Sequence, residues 1–246
     1  MLSKSQIKLI KSLTQKKFRN KHELFTVEGI KGVMEFINSD FELVSLFTTG
    51  KTFGLPKDKL NLIEEKELKK ISSLKTPQEV LAVFKIPSPA AFKPEGLILA
   101  LDGVRDPGNL GTIIRLCDWF GIENLICSGD TVDCYNPKVV QASMGSLTRV
   151  KINYLDLAEF LGQQKDLPVY GTLLEGDNIY TSALPNSAVI VMGNEANGIS
   201  EEIISLLKNK VTIPQFGKVQ TTESLNVATA TSIVLSEFRR NLSTEK

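Results

Sequence analysis

Two rhythms of apolar residues divide the 246-residue chain. From residue 96 onward, short apolar runs recur as GLILALDG (96–103), NLICSG (124–129), VYGTLL (169–174), AVIVMG (188–193) and KVTIP (210–214). Stretches of helical spacing near 110–120, 137–147, 156–164 and 200–208 separate them, and a last one runs from about 225 to 240. Apolar strands alternating with helices predict a parallel sheet covered on both faces. Such sheets bind ligands where loops leave the carboxyl ends of the strands. Before residue 90, Ile7, Ile10 and Leu13 mark an amphipathic helix, FTVEG starts a new unit, KGVMEFINS reads as helix and FELVSLFTT as strand. EEKELKKISSL follows as a charged helix and VLAVFKI as a closing strand, which makes a small α/β domain. KIPSPAAFKPEG (85–96) lies between, where Pro87, Pro89 and Pro94 interrupt both helix and central strand. The expected organisation is therefore a first domain over 1–90 and a second over 95–246, both α/β.

Composition narrows the function classes. With 42% hydrophobic and 23% charged residues the chain falls in the soluble globular range. It lacks both a run of ~18 apolar residues and the apolar core of a signal peptide, so a cytoplasmic protein with no membrane association is expected. Cys117, Cys127 and Cys134 form no C-x-x-C pair and His22 is the one histidine, which argues against metal and against histidine-based nucleophilic chemistry. The net charge of +1 conceals a split: residues 1–90 hold 16 Lys and Arg against 10 Asp and Glu, and residues 91–246 hold 13 against 18. Lys4, Lys8, Lys11, Lys16, Lys17, Arg19 and Lys21 all precede the first acidic residue, Glu23. A basic face of this kind is either a solvated helix surface or a contact for nucleic acid.

Three loops carry the remaining signal. DPGNLGTIIR (106–115) has the glycines of a phosphate loop, but no Lys-Ser/Thr follows Gly111, and Gly108 and Gly111 lack dinucleotide-binding spacing. Read locally, Pro107-Gly108 is a turn and Asn109 the N-cap of a helix, with Ile113, Ile114 and Cys117 facing the core. That reading leaves Arg115 unexplained, since an arginine on a largely apolar segment is expected to need a polar partner. VIVMGNEANGIS (189–200) is a strand breaking into a turn with Gly193, Asn194, Glu195, Asn197 and Gly198, read locally as an Asn-Gly turn before a Ser200-capped helix. In VTIPQFGKVQTTESLNVATATSIVLSE (211–237), no residue from Ser224 to Ser236 is charged, so this helix is expected to be buried on more than one side, in the core or at a dimer interface.

Taken in order, Asn109-Leu110-Gly111 through Arg115, Gly193-Asn194-Glu195 through Gly198, and Ile213-Pro214 followed by Ser224-Leu225-Asn226-Val227-Ala228 resemble the three motifs of the SpoU-like RNA 2′-O-ribose methyltransferases of the SPOUT superfamily. The resemblance covers residues 97–240. It includes NPKVVQASMGSLTRV, with Ala142, Ser143 and Gly145 in the expected places and Gln141 where relatives often carry arginine. KKFRNKHELFTVEGIKGVMEF more loosely resembles the start of the RNA substrate-binding domain of two-domain members, itself similar to small RNA-binding ribosomal proteins.

This resemblance implies a trefoil-knotted parallel α/β catalytic domain, one of the rare exceptions to un-knotted topology, working as a homodimer on S-adenosylmethionine and RNA. Gly193, Ile213 and Leu225 would line the cofactor site through their backbone groups, with Thr172 and Leu173 as lesser candidates. A glycine at 193 would let the chain approach the ligand closely. Arg115 would act on the ribose hydroxyl, held by Asn109 and Glu195, while Ser224 and Asn226 shape the pocket. A guanidinium keeps its proton at neutral pH, so stabilising the developing alkoxide and holding RNA phosphate suits Arg115 better than simple base catalysis. Lys16, Lys17, Arg19 and Lys21 are the expected phosphate contacts. The basic N-terminal domain makes ribosomal RNA, most of all 23S, the expected substrate and tRNA the alternative; a non-catalytic RNA-binding protein that keeps the fold is the other.

Overall fold

The computed structural model describes residues 2–50, 53–88, 93–217, 219, 224–240 and 242. In chain order its elements are α1 (Lys4–Ser12), α2 (Lys16–His22), β1 (Leu24–Glu28), α3 (Ile30–Ile37), β2 (Leu43–Thr48), β3 (Leu60–Leu62), α4 (Glu65–Ile71), β4 (Val80–Lys85), β5 (Leu97–Leu101) and α5 (Pro107–Trp119). There follow β6 (Asn124–Cys127), α6 (Pro137–Ser143), β7 (Lys151–Tyr154), α7 (Leu157–Gly162), β8 (Val169–Asn178), β9 (Ala188–Met192), α8 (Glu201–Leu206), β10 (Asn209–Thr212) and α9 (Val227–Arg239). Two compact units result: Met1–Ala90 with Asp133–Thr148, and Ala91–Val132 with Arg149–Lys246. Residues 89–92 of the expected linker lie outside the described residues.

The first unit is a four-stranded sheet in the order β1-β4-β2-β3, antiparallel except for the β2/β3 pair. One core cluster joins Ile10 and Leu13 to Phe47, Leu81 and Val83 of the sheet and to Leu68 and Ile71 of α4. The rings of Phe25, Phe36, Phe41 and Phe84 pack against each other elsewhere in the unit, and Tyr135 joins them 4.7 Å from Phe25. Burial pushes the Tyr135 phenol far above its usual range. The basic N-terminal stretch is two helices, because α1 closes at Leu13 before α2 begins.

Arg19 departs from its expected role. Only 2% exposed, it donates from Nη1 to the Leu13 carbonyl (2.9 Å) and from Nε to Asp133 Oδ2 (2.9 Å), and Nη2 meets the same oxygen. A guanidinium buried and committed in this way is a structural tie, and its burial keeps it from RNA phosphate. Together with the Phe25–Tyr135 contact, it explains why Asp133–Thr148 joins the first unit instead of continuing the second, as two unbroken spans would have required. Lys16, Lys17 and Lys21 are exposed.

In the second unit all six strands are parallel, in the order β10-β8-β9-β5-β6-β7. The chain steps outward from β5 to β6 and β7, then returns to build β8, β9 and β10 on the other side. β5 and β9 are therefore neighbours at the point where the order reverses, and the loops after them open side by side. Every residue of both strands is buried, as continuous apolar runs covered on two faces should be. Ile98, Ala100, Val189 and Val191 share one cluster with Leu157, Phe160 and Leu161 of α7 and with Ile203 of α8. α5 and α9 pack on each other.

Two strands escape the apolar pattern. β7 (KINY) is an edge strand with no fully buried residue, and β3 has none either. The helix expected over 137–147 stops at Ser143, because Met144 (φ 50°) and Gly145 (φ 94°) take left-handed backbone. α9 buries a single stripe, Val227, Ala228, Thr231, Val234, Leu235 and Phe238, so within the chain it is one-sided rather than buried on several faces.

Arg19→Ala is expected to destabilise the protein by about 3 kcal/mol, since it strands a largely buried carboxylate. Arg19→Lys should recover only part of this because it cannot reproduce the fork of donors. Urea denaturation of both variants measures the effect.

Candidate active site

The first loop of the site starts α5 in a way the sequence reading missed. Asp106, not Asn109, is the N-cap; its Oδ1 accepts the Asn109 N–H at 2.8 Å, and Pro107 occupies the first helical turn. Aspartate followed by proline suits this position, because proline presets the helical φ and lacks the N–H that would go unpaired there. Asn109 therefore sits inside the first turn with its carboxamide free. Its Nδ2 donates to Glu195 Oε1 at 2.7 Å, and its Oδ1 accepts from Asn226 Nδ2 at 2.9 Å.

Asn226 belongs to the third loop. Its Oδ1 accepts the Ala228 N–H (3.0 Å) and Thr229 N–H (3.2 Å), which makes it, and not Ser224, the N-cap of α9. These contacts fix both amide orientations: a carboxylate only accepts, so Asn109 turns its nitrogen to Glu195, and the helix N–H groups hold the oxygen of Asn226. Ser224 is exposed and makes no hydrogen bond to any described residue.

The second loop carries Glu195. Asn194 and Gly198 exchange backbone hydrogen bonds (2.8 and 2.9 Å), closing the turn, and Gly198 supplies its positive φ of 68°. A Cβ on Gly193 would lie 2.2 Å from the Gly198 carbonyl carbon. The glycine is thus demanded by the loop's own backbone; approach to a ligand is not needed to explain it. Ser200 stands at the N-cap of α8, but its side chain makes no cap bond, and its N–H donates to Asp102 Oδ2 at 2.7 Å.

Arg115 lies apart from this cluster. It is exposed and makes no hydrogen bond or ion pair with a described residue, so water meets the need for a polar partner that its sequence position raised. Six residues of helix separate it from Asn109, which is about 9 Å along the axis and about 120° around it. The buried stripe of α5 is Leu110, Gly111, Ile113, Ile114 and Cys117, and Arg115 falls outside it. Burial raises the Cys117 thiol far above its usual range, which leaves it inert.

The residues expected to hold S-adenosylmethionine divide into two groups. Gly193, Ile213 and Leu225 follow β9, follow β10 and precede α9, and among the described residues their backbone N–H and C=O groups have no hydrogen-bond partner. Two strand-end loops offering unpaired donors and acceptors beside apolar side chains match what an adenine edge and a ribose need. Thr172 is otherwise engaged: its hydroxyl donates to the Val191 carbonyl at 2.9 Å and lies 3.2 Å from Met192 Sδ, pinning β8 to β9. Leu173 packs against the core cluster under the sheet.

Comparison with known proteins shows the family. The family model described as "SpoU rRNA Methylase family" matches residues 96–236, and the one described as "MRM3-like substrate binding domain" matches residues 4–82. The chain belongs to the SpoU rRNA methylase family. A 23S rRNA (guanosine(2553)-2′-O)-methyltransferase of Bacillus subtilis (strain 168) is 28% identical over 95% of this chain and 96% of its own length. Among solved structures, a putative RNA methyltransferase of the TrmH family from Porphyromonas gingivalis superposes with a TM-score of 0.91 at 41% identity, covering 98% of this chain and 100% of that one. An AdoMet-bound rRNA methyltransferase from Sinorhizobium meliloti gives 0.87 at 32% identity, covering 99% and 97%.

Asn226→Ala is expected to cost about 1 kcal/mol through the lost cap. Asn226→Asp keeps an acceptor for the Ala228 and Thr229 N–H groups and should cost less. Urea denaturation checks that order, and equal losses would remove Asn226 from the cap.

Proposed function

We propose that this chain transfers the methyl group of S-adenosylmethionine to a ribose 2′-hydroxyl of 23S ribosomal RNA. The observation that carries this reading is the side-chain relay Glu195–Asn109–Asn226, which gathers the three family motifs at the strand-order reversal of the sheet. When bound, the cofactor would supply an electrophilic methyl from its sulfonium, the sulfur keeping the bonding pair as a neutral thioether, while the ribose hydroxyl would pass its proton to solvent.

This chain's residues align and polarise. Unpaired backbone groups of Gly193, Ile213 and Leu225 would hold the adenosine portion of the cofactor. Arg115, exposed and uncommitted, holds an RNA phosphate and stabilises the alkoxide that develops at the 2′-oxygen; it stays protonated throughout. Asn109 and Glu195 fix the pocket wall instead of gripping Arg115 within the same chain, and Ser224 and Asn226 complete that wall. Orienting two reactants in line is worth several orders of magnitude before any proton is moved.

The wider assignments rest on other features. Exposed Lys16, Lys17 and Lys21 on α2 supply phosphate contacts, without Arg19. The basic first unit, and the near full-length match to a relative named for 23S rRNA, favour ribosomal RNA over tRNA. A homodimer is supported by the chargeless outer side of α9 (Thr229, Ser232, Ser236) and by Trp119, 84% exposed at the end of α5. A knotted threading of the C-terminal segment is part of the same proposal, and family membership favours it. Among the described residues no helix is long and apolar enough to cross a membrane, and a ribosomal substrate favours a cytoplasmic location. The non-catalytic alternative predicts RNA binding without cofactor binding, which calorimetry with S-adenosylmethionine distinguishes.

Arg115→Ala should lower kcat for 23S rRNA methylation by about 100-fold or more. Because the side chain is exposed and unpaired, stability should stay within about 0.5 kcal/mol of the parent. Wild-type turnover in the folded variant removes Arg115 from the reaction. Replacing Lys16, Lys17 and Lys21 by Ala should weaken RNA binding and flatten its log–log salt dependence by about 2. Filter binding across a salt series reads both.

A further inference from the structure

Two cross-links between the end of β5 and the loop after β9 have no part in the reaction just described. Asn194 Nδ2 donates to the Gly103 carbonyl at 2.6 Å, and the Ser200 N–H donates to Asp102 Oδ2 at 2.7 Å. They flank Glu195 in the chain, the first at the preceding residue. The amide of Asn194 can be oriented in only one way, because its Oδ1 accepts the Ala196 N–H (2.8 Å) and the Asn197 N–H (3.2 Å). One face of the side chain therefore folds the turn, and the other grips β5.

What it grips is itself immobilised. The Gly103 N–H donates to Ser128 Oγ at 2.8 Å in a buried contact, and Ser128 Oγ donates to Asp130 Oδ1 at 2.7 Å. Asp130 in turn pairs with Arg105 at 2.9 Å. The Ser128 hydroxyl, and after it Arg105, hold the Asp130 carboxyl below its usual range, so this anchor keeps its charge to lower pH than a free aspartate would. Gly103 has φ 70°, and a Cβ there would fall 2.9 Å from Asp130 Oδ2, so the peptide cannot take another residue without a shift. Three residues later Asp106 caps α5 and sets Asn109.

We infer that Asn194 is a positioning residue for methyl transfer: by tying the Glu195 turn to the Gly103 peptide, it sets the Glu195 carboxylate against Asn109. This rests on the reading of Glu195 and Asn109 as parts of the active site. Asn194 touches neither substrate nor cofactor in this scheme and acts through its neighbour.

Asn194→Asp isolates the effect. It keeps the acceptor for the Ala196 and Asn197 N–H groups, so the turn still folds, but it replaces the donor to Gly103 with an oxygen facing a carbonyl. The side-chain amide resonances of Asn109, followed by 15N NMR of the full chain, should move in the direction they take in Glu195→Ala. In single-turnover methylation of 23S rRNA the rate should fall about 10- to 100-fold, while the affinity for RNA and the melting temperature remain close to the parent. Combined with Glu195→Ala, it should lower the rate by no more than about twofold beyond Glu195→Ala alone. Unchanged Asn109 resonances in Asn194→Asp, or rate losses that multiply in the double variant, overturn the inference. If the resonances move as expected while Glu195→Ala still methylates at the parent rate, the positioning role stands and the catalytic reading of Glu195 fails.

Discussion

The carboxamide of Asn109 is the contact on which the site depends. It donates to Glu195 at 2.7 Å and accepts from Asn226 at 2.9 Å, so one side chain joins loops 86 and 117 residues away in sequence. A side-chain amide suits this junction, since it offers a donor to a carboxylate and an acceptor to a second amide at once. Partly buried hydrogen bonds to a charged acceptor are also stronger than neutral ones, which favours a single arrangement of the three loops over a spread of them.

The sheet makes the junction possible. β5 and β9 are buried along their whole length and paired in register from Leu97↔Ala188 to Leu101↔Met192, so their ends are fixed relative to each other. Because the chain leaves β5 toward one side and β9 toward the other, the loops diverge and leave a crevice between them. Asp106 then starts α5 with its first turn beside that crevice, and Asn226 does the same for α9. Both caps have local physical reasons, and both leave an asparagine amide pointing at the shared space.

The apolar runs were sufficient to read the central strands of the second unit, because a strand buried on two faces has no polar residue to confuse it. Two edge strands were not legible: KINY and LNL are short and mixed, and they gain their place from neighbours. β8 runs through Glu175, Gly176, Asp177 and Asn178, polar residues that sequence pattern assigns to a loop; β10 pairs with it at both ends of a register jump, from Lys210↔Gly171 to Val211↔Asp177. The three motifs pointed to candidate site residues but not to their partners. DPGN concealed its cap, since Asp106 and Asn109 are equally good capping residues and only the position of Pro107 favours the first. Arg19 looked like its lysine neighbours because its partner, Asp133, stands 114 residues away. Asn194 read as a turn residue, which it is; its second contact is long-range and leaves no local trace.

The most direct test of the account is methylation of 23S rRNA by Asn109→Asp, with S-adenosylmethionine binding measured on the same sample. An aspartate at 109 keeps the size of the side chain but sets a carboxylate against Glu195. The account predicts a folded protein that binds S-adenosylmethionine and leaves the RNA unmethylated. Methylation at the parent rate would contradict it, because the three loops would then not depend on the amide that joins them.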